Sequence, residues 1–179
     1  MNLRTLPVVL TLLLAAAACT EKAKSSDFVV LAQRAYPGSG PLNREAMDDL
    51  WSSLFRLPQW HFLMTPASAV TNQPAVQLIG TQGWLLAFTD TDKLKRYATT
   101  QSTFGDGGVS FLAAGDGGSP LILSMTPEAA TSFLAGYPNP TVAGVRFNEG
   151  AGAGWFAPLK SIGDIRGHLK SEGKLDPLR

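Results

Sequence analysis

Ala75-Val76-Gln77-Leu78-Ile79-Gly80-Thr81-Gln82-Gly83-Trp84-Leu85-Leu86-Ala87-Phe88-Thr89-Asp90 is the stretch that decides the fold. Two apolar runs, 75–79 and 84–88, flank Gly80-Thr81-Gln82-Gly83, and that spacing predicts a β-hairpin. Thr89-Asp90 then caps a helix to about Gln101, with Leu94, Tyr97 and Ala98 on its inward face. A hairpin running straight into a helix predicts a sheet with helices packed on it.

The flanking sequence extends that pattern in both directions. Asn43 is an N-cap, and Met47, Leu50, Trp51, Leu54 and Phe55 follow as the apolar stripe of an amphipathic helix that Pro58 stops. Asp48 and Asp49 fall on the wet side of that helix. Trp60-His61-Phe62-Leu63-Met64 reads as a strand, with Trp60, Phe62 and Met64 on one face. Leu121-Ile122-Leu123 is a further strand. Thr126-Pro127-Glu128 starts a helix with a cap, a first-turn proline and an acid at the positive end of the dipole. Val142 to Phe147 is a strand, and Leu159, Ile162, Ile165 and Leu169 mark a last helix ended by Gly173. Gly163 and Gly167 inside it cost about 1 kcal/mol each against Ala. The predicted class is α+β, or mixed α/β: one mixed sheet with about three to four packed helices.

The chain has 179 residues, 45% of them hydrophobic and 16% charged, with a formal net charge of +1. That is room for one ordinary domain. So balanced a charge argues against a nucleic-acid partner. The single cysteine, Cys19, forbids an internal disulfide and a cysteine-based metal site.

Residues 1–18 read as an export signal. Arg4 makes the amino end positive, and Leu6 to Ala18 is nearly all Leu, Val and Ala. As a helix this run would be about 20 Å long, short of the ~30 Å of a bilayer core. It ends Leu14-Ala15-Ala16-Ala17-Ala18-Cys19, which resembles the lipobox of bacterial lipoproteins; Ala16 stands where that consensus prefers Leu. The resemblance implies that the signal is cut before Cys19, that the thiol receives a diacylglycerol, and that the new amino terminus is acylated, with palmitate as a typical chain. Acyl chains in that number hold a protein stably on a membrane without spanning it. Loss of residues 1–18 also removes Arg4, leaving 14 basic and 14 acidic side chains, so the lipid supplies the attachment. Thr20, where an Asp would favour inner-membrane retention in enteric bacteria, leaves the outer membrane open. The expected address is the cell envelope: outer membrane or outer leaflet of the inner membrane, with the domain outside the cytoplasm. The layout is a signal over 1–18, the lipidated Cys and a tether over 19–42, and the domain over 43–179. Within the tether, Phe28-Val29-Val30-Leu31-Ala32 is a strand or one helical turn, and 36–41 (Tyr-Pro-Gly-Ser-Gly-Pro) breaks structure.

Chemistry-bearing motifs are few. Leu85 to Asp92 ends in Asp90-Thr91-Asp92 and so resembles the haloacid dehalogenase type, in which paired aspartates and Mg²⁺ move a phosphoryl group. Leu94 stands where that motif has Thr or Val, and helix capping by Thr89 or Asp90 accounts for the same residues. Gly105-Asp106-Gly107-Gly108 recurs as Gly115-Asp116-Gly117-Gly118 around Val109–Ala114, reading as two tight turns about a strand; one Asp per loop is too few for calcium. His61 falls on a strand. His168 lies in the stripe Lys160, Asp164, His168, Glu172, a solvated helix face. No Gly-x-Ser-x-Gly and no His-Glu-x-x-His is present. No catalytic residue, metal or cofactor is expected.

The order of elements resembles the N-terminal domain of SseB-like (enhanced serine sensitivity) proteins. Carrying the resemblance are Trp84-Leu85-Leu86-Ala87-Phe88-Thr89-Asp90 with Leu94 and Tyr97, then Leu121 to Met125 with Thr126-Pro127-Glu128-Ala129-Ala130, then Gly144-Val145-Arg146-Phe147-Asn148. It covers roughly 43–170. The resemblance implies a small mixed α/β domain, a protein-interaction module without an enzymatic mechanism. The expected function is thus a lipid-anchored, non-enzymatic envelope protein that binds an envelope protein partner; the alternative is a small-molecule or peptide-binding lipoprotein. If the strands 84–88 and 142–147 are parallel neighbours, Thr89, Asp90 and Asn148 share one sheet edge, where open sheets bind ligands. Gly150 in the loop 149–154 and Trp155 at its end complete that candidate binding site; the plainer reading makes them caps, a loop and core.

Overall fold

A computed structural model of the chain describes residues 28–66, 69, 73–104 and 118–175. Cys19, the signal, the tether segment 20–27, Val109–Ala114 and both Gly-Asp-Gly-Gly turns except Gly118 lie outside the described residues. Among those described are five helices: α1 (28–35), α2 (Arg44–Phe55), α3 (Thr91–Phe104), α4 (Pro127–Ala135) and α5 (Ser161–Ser171). Six strands form one mixed sheet: β1 (Trp60–Met64), β2 (Val76–Ile79), β3 (Gln82–Phe88), β4 (Leu121–Met125), β5 (Val142–Phe147) and β6 (Trp155–Pro158). The class is α+β, as the sequence predicts.

The sheet order is β4-β1-β3-β5-β6, with β2 pairing beside β1 on the same edge of β3. β2 and β3 form the expected hairpin, but its loop is only Gly80-Thr81, because Ile79 pairs with Gln82. Gly80 takes φ +63°, which a two-residue hairpin turn requires at its first position. β3 and β5 are parallel, with Leu85 opposite Val145 and Ala87 opposite Phe147; the other pairings are antiparallel.

Alternation along the strands divides the core in two. Trp60, Phe62, Leu85, Ala87, Val145, Phe147, Trp155 and Ala157 face a large core completed by residues of α1, α2, α4 and α5. Leu63, Leu86 and Phe88 face a smaller one closed by Leu94, Tyr97 and Ala98 of α3. The predicted stripes of α2 and α3 are the observed inward faces. Asn43 caps α2, its Oδ1 accepting from the Ala46 N–H at 3.1 Å, and Thr126 caps α4 through the Ala129 N–H at 3.3 Å. Gly173 ends α5 at φ +67°, where its N–H donates to Lys170 C=O and that of Lys174 to Leu169 C=O. These two bonds satisfy the last carbonyls of the helix.

Two differences from the sequence reading have physical causes. Among the described residues the core already includes Phe28, ahead of Asn43, since Phe28, Ala32 and Ala35 recur at i, i+4 and i+7 and are buried. A five-residue apolar run does not separate strand from helix by periodicity. And 155–158, read as the end of a loop, is strand β6, so 149–154 is the connection of a hairpin with Phe147 opposite Trp155.

Candidate functional site

The parallel pairing of β3 and β5 carries Thr89 and Asn148 to the same end of the sheet, where they bond. Asn148 is fully buried, and its Oδ1 accepts from the Thr89 N–H at 3.0 Å. Its Nδ2 donates to Thr89 Oγ1 at 3.1 Å, and its own N–H donates to Ala87 C=O at 2.9 Å. Asn148 has φ +53°, the one positive φ outside glycine among the described residues. Asn tolerates that left-handed conformation better than most residues, because its short amide can bond locally.

Lys93 joins this cluster from the first turn of α3. Its side chain is 3% exposed; Nζ donates to Thr89 Oγ1 at 3.1 Å and pairs with Asp90 Oδ2 at 2.9 Å. Asp90 Oδ1 accepts from the Lys93 N–H at 2.8 Å, so Asp90 is the N-cap of α3. Thr89 Oγ1 lies 3.3 Å from Asp90 Oδ2, to which it donates. Asp92, the second acid of the Asp-x-Asp pattern, is exposed. Sequence reasoning missed Lys93 because a lysine beside Asp92 reads as solvated. The available signal was its place three residues after a capping Asp.

Three of the five candidate residues, Thr89, Asp90 and Asn148, therefore meet. Gly150 stands over Tyr97 at φ +72°; a Cβ there would come within 3.0 Å of the ring. Trp155 is a correction. It is 2% exposed and lies between two rings, stacked on Phe147 at 5.5 Å and on Phe28 at 5.9 Å. Its indole cannot cover a guest, because Phe28 of α1 already occupies its outer face. Its Nε1 has no hydrogen-bond partner among the described residues. The cluster holds the ends of β3 and β5 and the start of α3 together, with its polar groups turned on one another.

The two histidines lie apart. His61 Nδ1 is 2.8 Å from Ser124 Oγ, and His168 Nε2 lies 3.3 and 3.4 Å from the Asp48 oxygens. No group of three potential metal ligands occurs among the described residues. Asp48 also pairs with Lys174 Nζ at 2.6 Å. Partial burial would raise the Asp48 carboxyl, but the hydrogen bonds and charges of Lys174 and His168 outweigh it and hold it below its ordinary value; the hydrogen bond to Asp48 raises Lys174 in turn. Burial pushes up the phenols of Tyr36, Tyr97 and Tyr137, opposed at Tyr97 by a hydrogen bond to Gln77.

Apolar side chains are exposed on both faces of the sheet, Val76 and Leu78 on the face of the larger core and Phe156 on that of the smaller one. Leu78 is 74% and Phe156 53% exposed, with Val76 beside Leu78 on β2. Half-buried Trp84 meets Phe156 edge-on at 5.4 Å, and its ring covers Gly144. A separate open groove of about 260 Å³ is lined by Tyr36, Pro37, Gly38, Gly40 and Leu42. Among the described residues no helix is long and apolar enough to cross a membrane. The chain matches no family model, no curated protein and no solved structure.

Proposed function

We propose that this is a lipid-anchored, non-enzymatic protein of the bacterial cell envelope whose domain works by binding a protein partner. The anchor reading rests on the sequence, where the only cysteine closes a short apolar run behind a positive amino end. The observation that carries the binding role is the contrast between a closed polar cluster and exposed apolar side chains. At the Thr89–Asn148 end the polar groups satisfy one another. Val76 and Leu78 on β2, and Phe156 against half-buried Trp84 on the other face of the sheet, leave apolar surface in water. Exposed apolar and aromatic surface is what protein interfaces use at their centres. The SseB-like reading rests on the order of elements: β3 running through Phe88-Thr89 into α3, and β5 followed directly by Asn148.

A photoreactive residue placed at Leu78 or Phe156, and at exposed Gly163 on α5 as control, tests the binding role in intact cells. A discrete adduct from Leu78 or Phe156 and none from Gly163 is expected. Equal labelling from all three positions would contradict it. A small molecule retained by the purified protein in native mass spectra would favour the ligand-binding alternative.

A further inference from the structure

The interaction surface and the anchor leave a third region of the domain to account for, the outer side of α1. Eight residues lie between Cys19 and Phe28, which makes nine residue-to-residue steps. At roughly 3.3–3.6 Å per residue they reach about 30 Å at most, whatever their path. An acylated Cys19 therefore keeps α1 within one bilayer thickness of the head groups.

With Phe28, Ala32 and Ala35 buried, α1 turns Val30, Gln33 and Arg34 outward. Val30 is 54% exposed. The Asn43 N–H donates to Ala35 C=O at 3.4 Å and so brings Leu42, 58% exposed, to the carboxyl end of α1. The charged residues from Phe28 to Arg44 are Arg34 and Arg44, both basic and both exposed, with no acid among them. Exposed apolar side chains flanked by arginines suit the boundary of a phospholipid leaflet, where apolar groups enter and basic groups meet phosphates. Phe28 stacks on Trp155 at the Phe147 end of β5, whereas Leu78 pairs with Gly83, which faces Val142 at its start. Val30 and Leu78 thus belong to segments at opposite ends of the sheet, so the two can be told apart by their depth.

We infer that the outer face of α1 and the adjoining 36–42 loop form a membrane-contacting surface, with Val30 and Leu42 in the head-group boundary and Arg34 and Arg44 on its phosphates. This inference rests on the lipid-anchor reading above.

Because Cys19 is the only cysteine, an introduced one is the single free thiol of the acylated protein. Full-length Val30→Cys, Leu42→Cys and Leu78→Cys are matured in cells and labelled with an environment-sensitive fluorophore. They are then reconstituted into mixed zwitterionic and anionic phospholipid vesicles carrying a head-group quencher. Quenching at positions 30 and 42 at least about twofold that at 78, reduced by Arg34→Gln with Arg44→Gln, is the expected result. Equal quenching at all three positions, on vesicles with which the protein floats, overturns the surface and leaves the anchor standing. Protection of 30 and 42 in native envelopes but not in protein-free vesicles points to a protein occupant and also overturns it. A wild type that carries no acyl mass and does not float removes the anchor and this inference together.

Discussion

Asn148 Oδ1 accepts the Thr89 N–H at 3.0 Å, and that bond joins the ends of the two parallel strands of an otherwise antiparallel sheet. It is made by a buried side chain held at φ +53°. Asn148→Ala therefore strands the Thr89 N–H and leaves a Cβ in left-handed backbone without the amide bonds that offset it. Leaving a buried group unpaired costs about 1–3 kcal/mol, and the strain adds about 1–2 kcal/mol. Asn148→Gly loses the bonds without the strain. Chemical denaturation is expected to rank wild type above Gly and Gly above Ala; Ala equal to Gly would show that the conformation carries no cost.

Lys93 is buried beside a partly exposed partner, so removing each member of the pair has a different cost. Asp90→Ala takes away both the cap of α3 and the counter-charge of an ammonium that cannot reach water. Loss of a cap costs about 1 kcal/mol, and taking one charge partner from a buried ammonium costs more than removing the ammonium itself. Lys93→Met removes the charge itself and fills similar volume. Asp90→Ala is therefore expected to destabilise more than Lys93→Met, and thermal melts of the two variants with the double variant check it.

Glycines in the sheet and in α5 respond oppositely to the same change. A Cβ at Gly144 would fall against the Ala157 carbonyl and lie 2.7 Å from the Trp84 ring, so Gly144→Ala is expected to cost about 1–3 kcal/mol or more. At Gly163 and Gly167 a Cβ meets nothing within 4 Å, and each Gly→Ala change is expected to stabilise by about 0.5–1 kcal/mol. Denaturation midpoints that move in one direction for all three would contradict the packing.

Stability should have an acid limb set by Asp48 and an alkaline limb to which Lys174 and the raised phenols of Tyr36, Tyr97 and Tyr137 contribute. Asp48 lies below its ordinary value of 3.8 in the folded protein, so its contribution is present above that pH and is lost as pH falls through the folded value. Lys174 lies above its ordinary value of 10.5, so its contribution is present below that pH and is lost as pH rises through the folded value. Asp48→Asn is expected to flatten the acid limb and lessen the alkaline one, by lowering the neutral plateau toward the stability that the wild type has at acid pH. Urea melts across the pH range would read the change of slope.

What was legible in the sequence follows from how strongly a segment repeats. The stripes of α2 and α3 span several turns, and Leu50, Trp51, Leu54, Leu94 and Ala98 all lie inward as the 3.6-residue period requires. The strand ends were legible too, because Thr89 and Asn148 each follow an apolar run. β6 was not, because four residues after a glycine-rich connection give too short an alternation to recognise. Trp155 was misplaced for the same reason: without the strand, nothing sets it opposite Phe147 or under Phe28. Lys93 escaped because its burial depends on β5 arriving from 59 residues away to seat Asn148 on Thr89.

The intact mass of the full-length protein, extracted from membranes of the cells that make it, is the most direct test of the account. A mature chain that starts at Cys19 with added diacylglycerol and amide-linked acyl mass, and a Cys19→Ser variant that loses both the mass and the membrane, is the result expected. A wild-type chain recovered without acyl mass from the soluble fraction would contradict it.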